Sequence, residues 1–435
     1  MEFSLAQVAE ITGGVLCGDN VNLNVKLDGA TQDSRRITPA CLFVPLRAER
    51  DGHDFISAAL AAGAAGFLTE QESTLGPSVL VPDTASALQA LGAASRTSIT
   101  APVVGVTGSV GKTSVKDLTS AVLNQKGPVH ASPRSFNNEI GVPLTLLNTP
   151  EEATAVVAEM GARHPGDISN LCAMVRPDVG VITTIGMAHT GVFGSLEAVA
   201  QAKGEIIVGL PATGCAVLNA DVPAVMAQAD RTRAHVLTFG QAGEVRAREV
   251  RVGADLRPSF LLESPWGRIE VRLETRGAHM VTNALAAAAV GLVLDLSLEE
   301  VAAGLAKATL SPSRMQLGTA PSGLLVIDDA YNANPLSVGA ALEALATVEA
   351  TGRRVAVLGL MAELGDDAPF AHQQMAQKAA ALGVELLTVG TDLYGPPPET
   401  DIDAALKNLG PGDVVLVKGS LVAGLQALAS RLLAG

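Results

Sequence analysis

Seven residues constrain this chain more than any others: Thr107-Gly108-Ser109-Val110-Gly111-Lys112-Thr113. They follow the apolar, β-branched run Val103-Val104-Gly105-Val106, too short for anything but a buried strand, and they precede a helical pattern over residues 114–123. Strand, glycine loop and helix in that order make a phosphate site. Glycines let backbone N–H groups turn inward on phosphate oxygens, and the helix N-terminus adds a favourable dipole. Lys112 is placed to reach the β- and γ-phosphates, and the Thr113 hydroxyl to ligate Mg²⁺. The spacing departs from the general GxxxxGK[ST] pattern, because Val106 stands five residues before Gly111. The bland alternative is a glycine turn with a surface lysine, and the flanking strand and helix argue against it.

A strand feeding such a loop needs a sheet covered on both faces, and the chain is long enough to build several. Its 435 residues correspond to two or three domains of ordinary size. With 48% hydrophobic and 17% charged residues it is too apolar to be mostly disordered. The pattern predicts an α/β protein of three domains. Residues 1–98 read as a small α/β unit. Residues 99–312 alternate strands (155–158, 179–183) with helices, as a mostly parallel sheet requires. Residues 313–435 alternate again, with strands near 324–327, 354–358, 385–389 and 414–417, and read as a Rossmann-like domain.

Charge and hydropathy exclude other classes. Thirty basic against 44 acidic residues give a net charge of -14, which speaks against a broad nucleic-acid surface. Any anion must be held locally, so the placement of the nine lysines is informative. The longest apolar runs, 58–68 and 284–294, fall short of the roughly 20 residues that span a bilayer. The N-terminus lacks the basic-then-apolar pattern of a secretion signal. Cys17, Cys41, Cys172 and Cys215 form no CxxC pair. A cytoplasmic protein without structural zinc is predicted.

TGSVGKT resembles the TGxxGK[ST] loop of the Mur ligase and folylpolyglutamate synthase superfamily. Thr31-Gln32-Asp33-Ser34-Arg35, Leu42-Phe43-Val44-Pro45-Leu46 and Glu49-Arg50-Asp51-Gly52-His53-Asp54-Phe55 look like the UDP-sugar-binding first domain of Mur ligases. Phe136-Asn137-Asn138-Glu139-Ile140-Gly141-Val142-Pro143, Tyr331-Asn332-Ala333-Asn334-Pro335 and Met361-Ala362-Glu363-Leu364-Gly365 are similar to the branch that adds D-alanyl-D-alanine. The resemblance covers the whole chain. It implies an ATP- and Mg²⁺-dependent amide ligase of peptidoglycan precursor synthesis, acting as a monomer on UDP-N-acetylmuramoyl tripeptide, D-Ala-D-Ala and ATP.

The resemblance also assigns residues, each with a blander alternative. Glu159 ends the apolar run Ala155-Val156-Val157-Ala158, where a strand-end carboxylate is more often a cap or a surface group; the family makes it a Mg²⁺ ligand. His189 could be a hydrogen-bonded histidine, whereas the family places a metal-binding histidine there. Lys203 sits on a predicted helix starting near Ser195 that could simply face solvent; in relatives such a lysine is carbamylated and helps hold a second Mg²⁺. Asn283, after His279, resembles the adenine contact, with a helix cap and a packed polar residue as the alternative. Ser34 and Arg35 would hold the UDP-sugar, and Asn137 and Asn138 would face the muramoyl peptide. Asp329, Tyr331, Asn332 and Asn334 follow a strand at the end where α/β sheets bind ligands, Asp329 towards ATP and the others towards the dipeptide; turn chemistry is their alternative.

The chain departs from the family pattern at Leu360, Leu421, Gly191 and Met280. Two rivals stay open: the ligase that adds the third amino acid, whose DNPR motif is absent here, and a noncatalytic nucleotide-sensing scaffold.

Overall fold

The computed structural model describes residues 2–18, 26–186 and 193–434. The chain is α/β throughout, as predicted. It contains three large sheets. A five-stranded sheet runs Val15–Cys17, Ser78–Leu80, Gly66–Thr69, Leu42–Phe43, Ala30–Thr31; its first pair is antiparallel and the rest are parallel. A six-stranded sheet runs His235–Phe239, Cys215–Asn219, Val179–Ile182, Val103–Thr107, Ala155–Glu159, Val129–Ala131, with parallel pairs at both edges. A third sheet runs Gln316–Thr319, Leu325–Asp328, Val414–Lys418, Arg354–Leu358, Glu385–Thr388, parallel except for its first strand.

Contacts group these residues into two compact units: Met1–Gly105 with Gly127–Gly161 and Ile168–Val179, and Val106–Lys126 with Ala162–Asp167 and Gly180–Gly435. In the first unit, Leu42 and Phe43 face opposite sides of their sheet, as the pleat demands. Leu42 joins a core of Leu5, Val8, Leu88 and Leu91 that also takes in Leu144 and Leu147, and Phe43 packs with Ile56, Ala59 and Phe67. Helix Gly141–Leu147 therefore belongs to the N-terminal core although it lies far along the chain. Asn148 ties the two segments: its Oδ1 accepts from Ala30 N–H at 3.1 Å and its Nδ2 donates to Ala30 C=O at 2.9 Å.

In the second unit, helix Lys112–Leu123 packs against the alanine-rich helix Met280–Val293 and helix Leu298–Lys307. Small residues allow the close approach: a Cβ on Gly304 would lie 2.5 Å from Val122 Cα. The region also contains an antiparallel sheet, Arg246–Val252, Pro258–Ser264 and Gly267–Arg272, which alternating strands and helices did not predict. Its outward face carries Arg246, Arg248 and Arg268 around Glu263, so its strands are too polar to stand out as apolar runs. Among the described residues no disulfide forms, and no helix is long and apolar enough to cross a membrane.

Candidate functional site

Strand Val103–Thr107 is buried along its whole length and delivers the chain into the phosphate loop. Gly108 and Gly111 have φ of +148° and +88°, conformations that side chains disfavour. Space forbids side chains too. A Cβ on Gly108 would collide with Thr183 Oγ1, and one on Gly111 would lie 2.8 Å from Asn283 Oδ1. Helix Lys112–Leu123 starts with Gly111 as its N-cap and has no side-chain cap, so no side chain covers the positive end of its dipole.

The loop is braced from the segment after strand Val179–Ile182. Thr183 Oγ1 donates to Val110 C=O at 2.5 Å, Ser109 N–H donates to Thr184 C=O at 2.8 Å, and Gly186 N–H donates to Ser109 Oγ at 3.1 Å. Asn219 Nδ2 in turn donates to Thr183 C=O at 2.8 Å. The sequence reading missed Thr183 and Asn219; a polar residue ending an apolar strand was the signal for each. Lys112 Nζ donates to Gly108 C=O at 2.8 Å, which holds the ammonium over the loop. Thr113 is buried at the start of the helix, and Thr107 Oγ1 is buried without a hydrogen-bond partner.

Lys203 is the largest departure from a bland reading. Helix Leu196–Val208 begins where predicted, with Ser195 Oγ accepting from Ala198 N–H at 3.1 Å. Lys203 does not face solvent, however: it is 1% exposed. Burial, and secondly the Lys112 cation, lower its pKa from 10.5 to about 7. Asn283 is half-buried against Gly111, with its Nδ2 3.5 Å from Met280 Sδ. His279 is the N-cap residue of helix Met280–Val293 but makes no side-chain cap bond.

In the first unit, Glu159 is 1% exposed and accepts from Asn137 Nδ2 at 2.8 Å, while its own N–H donates to Ser132 Oγ at 3.1 Å. The surface alternative for Glu159 does not hold. Asn137 thus orients the carboxylate, a role not read from sequence, as was that of Ser132. Asn138 Oδ1 accepts from Gly141 N–H at 3.0 Å, which is turn chemistry. Ser34 and Arg35 lie in a short 3₁₀ turn capped by Asp33. The Arg35 side chain is 87% exposed and forks onto Asp33, at 2.8 and 2.9 Å, and this pairing holds the Asp33 carboxyl below its ordinary pKa.

A second polar cluster lies at the carboxyl ends of the third sheet. Buried Lys418 donates to Asp329 Oδ2 at 2.6 Å and to Asn332 C=O at 2.8 Å. Tyr331 carries the Arg314 guanidinium 4.4 Å above its ring. Asn334 caps helix Pro335–Thr347, its Oδ1 accepting from Ser337 N–H at 3.0 Å. Leu360 C=O accepts from Ser420 N–H at 3.0 Å, and Leu421 is exposed. His189 and Gly191 lie outside the described residues. Among those described, no three His, Cys, Asp or Glu side chains cluster to hold a metal.

Residues 106–291 match the Mur ligase middle domain, and residues 313–400 the Mur ligase, glutamate ligase domain. The UDP-N-acetylmuramoyl-tripeptide--D-alanyl-D-alanine ligase of Mycobacterium tuberculosis is 40% identical, across 100% of this chain and 98% of that protein. The Escherichia coli ligase of the same name is 37% identical, across 89% and 86%. The crystal structure of MurF from Acinetobacter baumannii superposes with a TM-score of 0.89 at 29% identity, covering 100% of this chain and 99% of that one. MurF ligase from Thermotoga maritima in complex with ADP gives 0.79 at 27%, covering 93% and 96%. The chain belongs to the Mur ligase family, as an α/β ATP-dependent ligase.

Proposed function

We propose that this protein joins D-Ala-D-Ala to UDP-N-acetylmuramoyl tripeptide through an acyl phosphate, in peptidoglycan precursor synthesis. The observation that carries the reading is the 40% identity to a ligase of that name over 100% of this chain, together with the phosphate loop that such chemistry needs. In this reading residues 1–98 bind the UDP-sugar through Ser34 and Arg35, 99–312 bind ATP, and 313–435 bind the dipeptide near Tyr331, Asn332 and Asn334. The enzyme works as a cytoplasmic monomer.

The loop fits a nucleotide triphosphate. Its glycines leave room for phosphate oxygens where a Cβ would stand, and the uncapped helix start supplies N–H donors. Lys112 and these donors draw negative charge from the γ-phosphate while the tripeptide carboxylate attacks phosphorus and the bond to the β-phosphate oxygen breaks. The dipeptide amine then attacks the acyl carbon, inorganic phosphate leaves and the amine gives up a proton. A bound Mg²⁺ would supply charge neutralisation for the transferring phosphoryl group. The buried hydroxyl of Thr113 and carboxylate of Glu159 are hard oxygen donors suited to it, with His189 as a further ligand.

Lys203 fits the carbamate role by its chemistry. Its amine is substantially neutral near pH 7, so its lone pair forms a C–N bond to CO₂ and the nitrogen releases one proton, leaving an anion. In this reading the carbamate anion would be a further ligand for Mg²⁺.

The test is phosphate release from ATP and UDP-N-acetylmuramoyl tripeptide with D-Ala-D-Ala or other amines. Release that requires D-Ala-D-Ala is expected. Preference for a single amino acid on UDP-muramoyl dipeptide would move the chain to the third-residue ligase, and no amine-dependent release would make it a scaffold.

A further inference from the structure

Residues 308–315 join helix Leu298–Lys307 to strand Gln316–Thr319, and their last five, 311–315, bend in a way that needs a cause. Ser313 and Met315 have φ of 57° and 52°, in the left-handed region that side-chain-bearing residues seldom occupy. Such a conformation persists only where its surroundings over-determine it. Both flanks do so here. From the phosphate-loop helix, Asp117 Oδ2 accepts from Ser311 N–H at 2.7 Å, and Oδ1 lies 3.1 Å from Nζ of buried Lys116. From the third sheet, Asp328 Oδ2 accepts from Ser313 Oγ at 2.9 Å and Asp329 Oδ1 accepts from Met315 N–H at 3.1 Å. Tyr331 N–H donates to Ser313 C=O at 3.3 Å, and Arg314 covers the Tyr331 ring.

We infer that Asp117 is a positioning residue for the ligation step: it holds the 311–315 bend and, through the bend and the Asp329–Lys418 pair, sets Tyr331 and Asn332 for the incoming dipeptide. The inference rests on the ligase reading above. Asp117 lies one helical turn beyond Thr113, on the same side of the helix, so the helix that receives the phosphates also carries the anchor of the bend. Asp329 is the other fixed point. One oxygen holds Met315 and the other holds Lys418, so a bend that relaxes releases one of the two contacts that orient this carboxylate. Losing Asp117 removes the acceptor for Ser311 N–H, and Ser313 and Met315 then relax towards ordinary backbone angles.

The experiment compares Asp117→Ala and Asp117→Asn with wild type in the phosphate-release assay, with calorimetric affinities for an ATP analogue and for UDP-N-acetylmuramoyl tripeptide. Asp117→Ala is expected to lower kcat/KM for D-Ala-D-Ala at least about 10-fold, a loss of the order seen when a hydrogen bond to a charged group is removed, while the affinity for UDP-N-acetylmuramoyl tripeptide changes less than about two-fold. Asp117→Asn keeps an oxygen for Ser311 N–H and should recover most of the loss. Adding Ser313→Gly to Asp117→Ala should recover part of it, because glycine adopts the left-handed conformation freely. Should Asp117→Ala fail to fold because buried Lys116 loses its ion pair with Asp117, Lys116→Met with Asp117→Ala removes the buried cation and is expected to show the same selective defect. Wild-type kcat/KM in a folded variant lacking the Asp117 carboxylate, or an equal loss in all three substrates, overturns the inference. A wild-type protein that releases no phosphate on D-Ala-D-Ala addition overturns the ligase reading instead.

Discussion

Replacing Lys203 by methionine should make the protein more stable and abolish its ligation. The side chain is 1% exposed, and burial with the nearby Lys112 cation brings its pKa from 10.5 to about 7. Between those values the unfolded chain binds a proton at this site that the folded chain does not, so stability rises with pH across the window, by about 1.4 kcal/mol per unit at most. Integrated from pH 6 to pH 9 the contribution is about 3 kcal/mol. Methionine fills a similar volume without a charge, so its advantage over lysine is greatest below pH 7 and shrinks by that amount at pH 9. Urea unfolding of both proteins in CO₂-free buffer at pH 6, 7.5 and 9 measures the difference. With ¹³C-bicarbonate added, the wild type should show a carbamate carbon signal that grows with pH through about 7 and that Lys203→Met lacks. A stability difference flat across this range would mean that Lys203 titrates as an exposed lysine, and the argument from burial would be wrong.

Other substitutions test the rest of the site. Lys112→Ala should leave the fold intact and lower turnover by about 100-fold or more, the usual cost of one preorganised contact to a transition state; near-normal ligation would remove the loop from the mechanism. Gly108→Ala drives a Cβ into Thr183 Oγ1 and should abolish ATP-analogue binding in calorimetry while sparing UDP-muramoyl peptide binding. Glu159→Gln still offers an oxygen to Asn137 Nδ2, so it should keep its melting temperature and shift the Mg²⁺ titration to higher concentration; an unchanged titration would make Glu159 structural. Ser34→Ala with Arg35→Ala should weaken UDP-muramoyl peptide binding and spare ATP, and loss of ATP binding instead would reverse the roles of the first two domains.

What was legible in the sequence was whatever depends on short-range pattern. The strand of the phosphate loop came out as Val103–Thr107 and strand Arg354–Leu358 matched to the residue, because a β-branched apolar run bounded by glycine or polar residues leaves few alternatives. The Ser195 cap was found for the same reason. Long-range pairing was not visible. Nothing near Leu144 says that its helix packs on the N-terminal sheet, and nothing near Asp117 says that it holds Ser311, which is 194 residues away.

Lys203 shows why this limit matters most at a site. Its helix carries Glu197 and Glu205, and a lysine between two acids on a helix is ordinarily a solvated residue. The structure leaves Glu197 exposed, gives Glu205 the Gly166 N–H at 2.8 Å, and buries Lys203 among Val199, Ala202, Ile206 and Ile207 on the helix's inner side. Burial, and secondly the Lys112 cation, lower the Lys203 pKa to about 7, which favours the neutral amine that the proposed carbamate needs. Burial is a property of the assembled sheet and helices, so the residue whose chemistry depends most on its surroundings is the one that local pattern describes least well.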